Sequence, residues 1–298
     1  MENYKLQYVS DIHLEKGYLP FSDLIEPDAP DLALVGDIGD PYSQVYADFL
    51  KWCSLRWARI FLLTGNHEYF TDVPKPDRTV EKIDEHIHRL CTKISPNIYF
   101  LQKGVYLIQE HKVAVLGATL WSAPDLRHWD KLVTGFIGDP GSKGEYNAIF
   151  KPDEYTGLMR PYHPTDITAL HMDHKCFISK ELGPYAEVVP SDYRVIVLSH
   201  HMPTYSLNKP EYIDHPLKSC YASPLDYLMK EPLVAWICGH SHDPMSLRYD
   251  TGTLVTLNPV GYKNQSKKEF SRNATITVHR ENFASSSKGS KPLSKAPL

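Results

Sequence analysis

The chain has no apolar run approaching the roughly 20 residues that a bilayer-crossing helix needs, and its opening, MENYKLQYVSD, lacks the charged-then-apolar order of a secretory leader. Both absences predict an intracellular, cytoplasmic protein without a membrane partner. Paired cysteines are missing too. Cys53, Cys91, Cys176, Cys220 and Cys238 stand singly with no CxxC, which argues against a disulfide framework and a thiolate zinc site, and predicts small buried or half-buried thiols. There is no excess of positive charge. With 32 Lys and Arg against 36 Asp and Glu, the formal charge is -4, so a general electrostatic attraction to nucleic acid is not expected. No internal repeat is visible.

What is present is enough apolar material, 42% of 298 residues, to bury a large core. A single domain is expected over residues 1–283. Short apolar runs ending in Gly, Asp or Asn alternate with helical stretches: KLQYVSDIH, DLALVGDIGD, the helix-like YSQVYADFLKWCSLR, then ARIFLLTGNHE. Such runs read as buried strands of an α/β sheet whose polar residues emerge at the strand ends, where ligands of open sheets bind. RTVEKIDEHIHRLCTKI carries Val80, Ile83, Ile87, Leu90 and Ile94 at three- and four-residue steps, an amphipathic helix stopped by Ser95-Pro96. NIYFLQKGVYLIQ and KVAVLGATLWS predict strands joined by tight turns. Residues 122–164 lose clear periodicity, and a loop so long predicts an insertion at the rim of a site. A helix is expected to open at Thr165 under its own cap. Strand returns with DYRVIVLSHH, helix with SPLDYLMKE, strand with LVAWICGHSH, and antiparallel strands with SLRYDTGTLVTLNP and NATITVHRE. Residues 284–298, rich in Ser, Lys and Pro, read as a disordered tail.

Five strand-like runs end in metal-binding residue types: Asp11-Ile-His13, Gly36-Asp37-Ile-Gly-Asp40, Gly65-Asn66-His67-Glu68, Ser199-His200-His201 and Gly239-His240-Ser-His242. Carboxylate oxygen with imidazole nitrogen suits Mn, Fe, Zn, Ni or Co better than Ca, which takes oxygen alone, or Cu(I), which prefers sulfur. Each cluster alone is a weak signal, since Asp-x-His arises by chance and Gly-Asp marks plain turns. GNHE and GHSH are stronger, because a Gly-started polar cluster is an odd end for a buried strand.

In this order the five clusters resemble the signature of the calcineurin-like metallophosphoesterase superfamily: Asp-x-His, Gly-Asp-x-x-Asp, Gly-Asn-His-(Asp or Glu), His, Gly-His-x-His. The resemblance runs from Asp11 to His242. It implies an α/β two-sheet α/β/β/α sandwich with a dinuclear metal site at the carboxyl ends of the strands. By position, Asp11, His13 and His242 would hold one metal, Asn66, His200 and His240 the other, and Asp37 would bridge them. A bridging carboxylate can keep two cations about 3.5 to 4 Å apart so that a hydroxide between them attacks phosphorus in line. His67 matches the superfamily's catalytic histidine, an electrostatic stabiliser and general acid for the leaving oxygen, and Asp40 would orient it. The fourth cluster has two adjacent histidines. His200 follows the apolar run RVIVLS as the family's metal histidine does, which leaves His201 to face substrate, but either could be the ligand. Glu68 stands where many relatives have Asp. GNHEYF, NIYFLQKG, LGATLW and LNPVGY resemble a branch of small intracellular phosphoesterases, with Val260 where relatives often place Arg.

The histidines outside the clusters, including His86, His88, His111, His128, His163, His171, His174 and His215, read as surface or helix-face residues. Arg127 and Arg160 lie in the aperiodic segment and are candidates to touch substrate, because guanidinium pairs readily with phosphate oxygens. The expected activity is hydrolysis of a small phosphomonoester or phosphodiester, such as a nucleotide. A nuclease of the same superfamily is disfavoured by the acidic balance, and a catalytically silent scaffold by the filled ligand positions.

Overall fold

The apolar runs form strands in the order the periodicity predicts, and the computed structural model describes residues 3–17, 20–133, 144–209, 212–262 and 270–279. In chain order the elements are β1 (Tyr4–Val9), β2 (Asp31–Val35), α1 (Gln44–Ser54), β3 (Arg59–Leu63), α2 (Val80–Ile94), β4 (Ile98–Phe100), β5 (Gly104–Ile108) and β6 (Val113–Ala118). They continue with α3 (Trp129–Val133), α4 (Glu145–Ala148), β7 (Phe150–Pro152), β8 (Met159–Pro161), α5 (Pro164–Glu181), β9 (Arg194–Ser199), β10 (Leu233–Cys238), β11 (Met245–Arg248), β12 (Leu254–Leu257) and β13 (Thr275–Val278).

Two sheets result, ordered β13-β1-β2-β3-β4 and β11-β12-β10-β9-β6-β5. Their central strands are parallel, and antiparallel partners close three of the four edges, β13, β11 and β5. Strands buried on both faces need apolar residues at nearly every position. Leu6, Val35, Phe61 and Leu63 of the first sheet accordingly meet Val115, Ile196, Leu198 and Ile237 of the second in a common core. The opposite face of the first sheet packs Leu34, Ile60 and Leu62 under Phe49 and Leu50 of α1 and Ile83 and Ile87 of α2. Val195, Val197 and Trp236 cover the other outer face together with Ile178 of α5. This is the expected two-sheet sandwich. The pairing Leu34–Val9 and Val35–Leu63 sets the carboxyl ends of β1, β2 and β3 side by side, and Ile237–Leu198 does the same for β10 and β9. The five clusters of metal-binding residue types therefore leave their strands at the carboxyl ends.

Several local expectations need correction. SPLDYLMKE forms only a short 3-10 turn, Asp226–Leu228, not a helix. Pro224 and Pro232 bracket it, and the second restricts Glu231 to extended backbone, leaving too little chain for two helical turns. The long helix opens at Pro164 rather than Thr165. Proline's fixed φ suits a first helical position, and the Asp166 carboxylate accepts from His163 N at 2.8 Å. Strands β4 and β5 lie in different sheets, and Cys176 is exposed. The segment 122–164 carries α3, α4 and the β7–β8 hairpin among its described residues. Residues 134–143 and the tail 284–298 lie outside the described residues. No described helix is long and apolar enough to cross a membrane.

Candidate metal centre

Each sheet delivers half of the site. From the first come Asp11 and His13 after β1, Asp37 after β2, and Asn66 and His67 after β3; from the second, His200 and His201 after β9, and His240 and His242 after β10. To turn these side chains inward the backbone leaves ordinary conformations. Asp11, His13, Asp37, His240 and His242 have φ of 53°, 51°, 53°, 73° and 53°. A left-handed L-residue costs roughly 1–2 kcal/mol, somewhat less for Asp, and a concentration of such residues marks a functional site. The glycines allow the close approach. A Cβ at Gly65 would fall on Asp37 Oδ1, and one at Gly36 would lie 2.5 Å from His200 Nδ1.

Ligand atoms of Asp11, His13, Asp37 and His242 all lie within 4.8 Å of one another, as do those of Asp37, His200 and His240. Asp37 belongs to both groups. Its Oδ2 is 3.4 Å from His200 Nε2, 3.8 Å from His13 Nε2 and 3.9 Å from His67 Nε2. His242 Nε2 stands 3.4 Å from Asp11 Oδ1 and 3.1 Å from His13 Nε2, close to the ~3.3 Å that separates two nitrogens on one tetrahedral cation. Among the described residues, the buried Asn66 Oδ1 and His200 Nε2 have no hydrogen-bond partner.

The residues fit divalent cations. Asp11 and Asp37 are fully buried carboxylates, and among the described residues their only cationic partners are imidazoles. Buried charge of this kind requires compensation. Burial opposes charge on Asp37, yet His200, His67 and His13 hold its carboxyl well below the usual range. The same field pushes His200 up to about 10 against its own burial, Asp37 contributing most and Asp11 adding to it. Nε2 of His200 thus takes either a proton or a metal, and the two compete. Outer partners set the tautomers. His200 Nδ1 donates to Val35 O at 3.0 Å, and His13 Nδ1 faces Glu15 Oε1 at 3.1 Å, so each ring turns Nε2 to the cluster.

Not every candidate reaches this cluster. Asp40 is half exposed, accepts from Tyr42 N and faces Arg78 at 3.7 Å. Arg127 pairs with Asp125, and Arg160 with Asp166 and Asp153. None of the three has a hydrogen bond or ion pair to the cluster among the described residues. His67 does join it. Its backbone N donates to Asp37 Oδ1 at 2.9 Å, its ring packs on Phe70, and Nε2 lies 3.4 Å from the Tyr262 hydroxyl. Burial lowers its pKa, which favours a neutral ring.

Two acidic residues at the site, Glu15 and Glu145, were not anticipated, and Glu68, a motif member, has a structural role its motif does not state. Glu15, two residues past His13, had a legible signal in DIHLE. Glu68 is buried and accepts from Asp37 N, Ile38 N and Gly65 N at 3.1, 2.7 and 2.8 Å, tying the loops after β2 and β3 together. Glu145, from the aperiodic segment, accepts from Asn66 Nδ2 at 3.0 Å, and burial pushes its carboxyl up to about 7.

His171 and His174 are buried, 3% and 4% exposed, contrary to the helix-surface expectation. Leu120 N donates to His174 Nδ1 at 3.1 Å, and His171 Nδ1 pairs with Leu120 O at 3.0 Å. They hold Leu120 and Trp121, whose φ are 69° and 54°, and Trp121 packs on His201. Burial lowers the His174 pKa from 6.5 to about 3. Because the folded value is depressed, the contribution is complete above about pH 6.5 and declines as pH falls toward 3, by up to about 1.4 kcal/mol per unit. His174→Asn, which keeps an acceptor for Leu120 N, is expected to flatten the stability profile between about pH 5 and 7. Urea melts of metal-stripped protein that run parallel for both proteins across that window would refute this.

Comparison with known proteins places this geometry. A family model described as calcineurin-like phosphoesterase matches residues 8–244. An uncharacterised protein, L509, of Acanthamoeba polyphaga mimivirus is 26% identical over 292 residues, 92% of this chain and 96% of the relative. The crystal structure of phosphopantetheinyl hydrolase from Mycobacterium tuberculosis superposes with a TM-score of 0.66 at 17% identity, covering 93% of this chain and 96% of that one.

Proposed function

Because the chain belongs to the calcineurin-like phosphoesterase family, we propose that it hydrolyses a small phosphorylated substrate, a phosphomonoester or a phosphodiester such as a nucleotide, at a centre of two divalent cations. The observation that carries this is the position of Asp37, whose carboxylate faces both ligand groups at once. Asp11, His13 and His242 would hold one cation, Asn66, His200 and His240 the other, with Asp37 between them. Mn, Fe, Zn, Ni or Co bound there would supply positive charge for the phosphoryl oxygens and lower the pKa of water.

The chain itself contributes position and hydrogen bonds. Glu68 fixes the two loops that carry Asp37 and Asn66, and Val35 O fixes His200. His67, a quarter exposed and 4.7 Å centroid to centroid from His13, is placed to donate to the leaving oxygen from Nε2. We assign its orientation to Asp37 and Phe70, since Asp40 pairs with Arg78. Phenyl-ester probes separate monoester from diester chemistry.

The test is hydrolysis of bis-p-nitrophenyl phosphate and p-nitrophenyl phosphate by metal-stripped protein, with Mn²⁺, Zn²⁺, Ni²⁺ or Mg²⁺ added back. Turnover is expected to return with metal, and His67→Ala is expected to lower kcat about 10²-fold or more at unchanged metal content. A His67→Ala enzyme as fast as wild type would remove that residue from the chemistry. A wild-type protein inactive on both esters with every metal would count against the hydrolase.

A further inference from the structure

Glu145 lies outside every strand-end cluster, yet it reaches the second ligand group. Tyr146, in the core beneath the first sheet, and the buried Ala148 anchor the short helix α4 that carries it. Ala148 O also accepts from Thr71 N at 2.8 Å. From there the Glu145 carboxylate accepts from Asn66 Nδ2, and one of its oxygens, a nitrogen of His201 and a nitrogen of His240 lie within 4.8 Å of one another.

Two buried atoms have no partner among the described residues: His201 Nδ1, on a residue 1% exposed, and Asn66 Oδ1, on one 4% exposed. A buried polar atom left unpaired costs about 1–3 kcal/mol. One carboxylate and two imidazoles within 4.8 Å of one another, on a carboxylate that also holds the Asn66 amide, form the donor set of a borderline divalent cation. An imidazole that faced only substrate would not need a carboxylate and a second imidazole converging on it.

We propose that Glu145 and His201 are ligands of the second metal position, added from outside the strand-end motif positions that hold Asn66, His200 and His240. The proposal rests on the dinuclear centre described above. It makes both histidines of Ser199-His200-His201 metal-facing, His200 through Nε2 beside Asp37 and His201 beside Glu145. It also makes the affinity of one position depend on α4, a piece of the segment between β6 and β7.

Titration of metal-stripped full-length protein with Co²⁺, followed by calorimetry and by visible d–d absorption, tests this. Wild type is expected to take up two ions. Glu145→Gln, isosteric and still able to accept from Asn66 Nδ2, is expected to weaken the second event about tenfold or more and change its absorption, leaving the first intact. His201→Gln is expected to do the same. If Glu145→Gln binds both ions as wild type does, the proposal is overturned. If only Glu145→Ala weakens binding, Glu145 acts through Asn66 alone and the ligand assignment falls. Wild-type protein that takes up fewer than two ions would instead overturn the dinuclear centre itself, a failure visible without any variant.

Discussion

Asp37→Asn is expected to reduce kcat/KM by about 10³-fold or more, equivalent to about 4 kcal/mol of lost transition-state stabilisation, and to leave protein that retains at most one tightly bound ion. The residue is 1% exposed, and each of its two oxygens has its own partners. Oδ1 accepts the backbone N–H of His67, and Oδ2 faces His13, His200 and His67 between 3.4 and 3.9 Å. An amide keeps one acceptor but brings an NH₂ group and no charge into a set of imidazoles that need an anion. Metal content and turnover should fall together. A variant with two bound ions and more than a tenth of wild-type turnover would show that Asp37 does not bridge the centre.

Glu68→Gln is expected to cost about 2–4 kcal/mol of stability even in metal-stripped protein. Three backbone N–H groups converge on the Glu68 carboxylate, two on Oε2 and one on Oε1. A glutamine offers one oxygen, so its NH₂ must face at least one of those donors, and a buried N–H opposite another donor loses its partner outright. Glu68→Asp keeps both acceptors on a shorter stem and should lose less. Denaturant melts of stripped protein measure the difference, and a Glu68→Gln midpoint equal to wild type would mean that water or a rearranged loop satisfies the donors.

Most of the centre could be read from the sequence because it is built from strand ends. An apolar run followed by Gly and two metal-binding residues states locally both that a strand stops and what stands at its end. Glu145 could not be found that way. Its place beside Asn66 is a contact across 79 positions of chain, from a stretch with no period to read. Asp40 shows the opposite failure, since its motif position suggested a partner for His67, but the turn after β2 aims it at Arg78. His171 and His174 were legible and were overlooked. Ile167, His171, His174 and Ile178 recur at four, three and four residues, the spacing of the buried face of α5, and a polar residue on that stripe announces a buried hydrogen bond. The helix expected over SPLDYLMKE failed because Pro232 ends the stretch and holds Glu231 extended, which an apolar pattern cannot outweigh.

Drawing ligands from both sheets has a consequence for how the protein is made. Asp11 leaves the ribosome early and His240 and His242 only after β10, so neither ligand group is complete until β10 has been made. The strand ends, with their left-handed backbones, are aligned by two sheets whose pairings β1–β13 and β6–β9 join residues far apart in sequence, a slow class of contact to form. On the proposed assignment His242 completes one ligand group and His240 the other, so both depend on the same late stretch of chain.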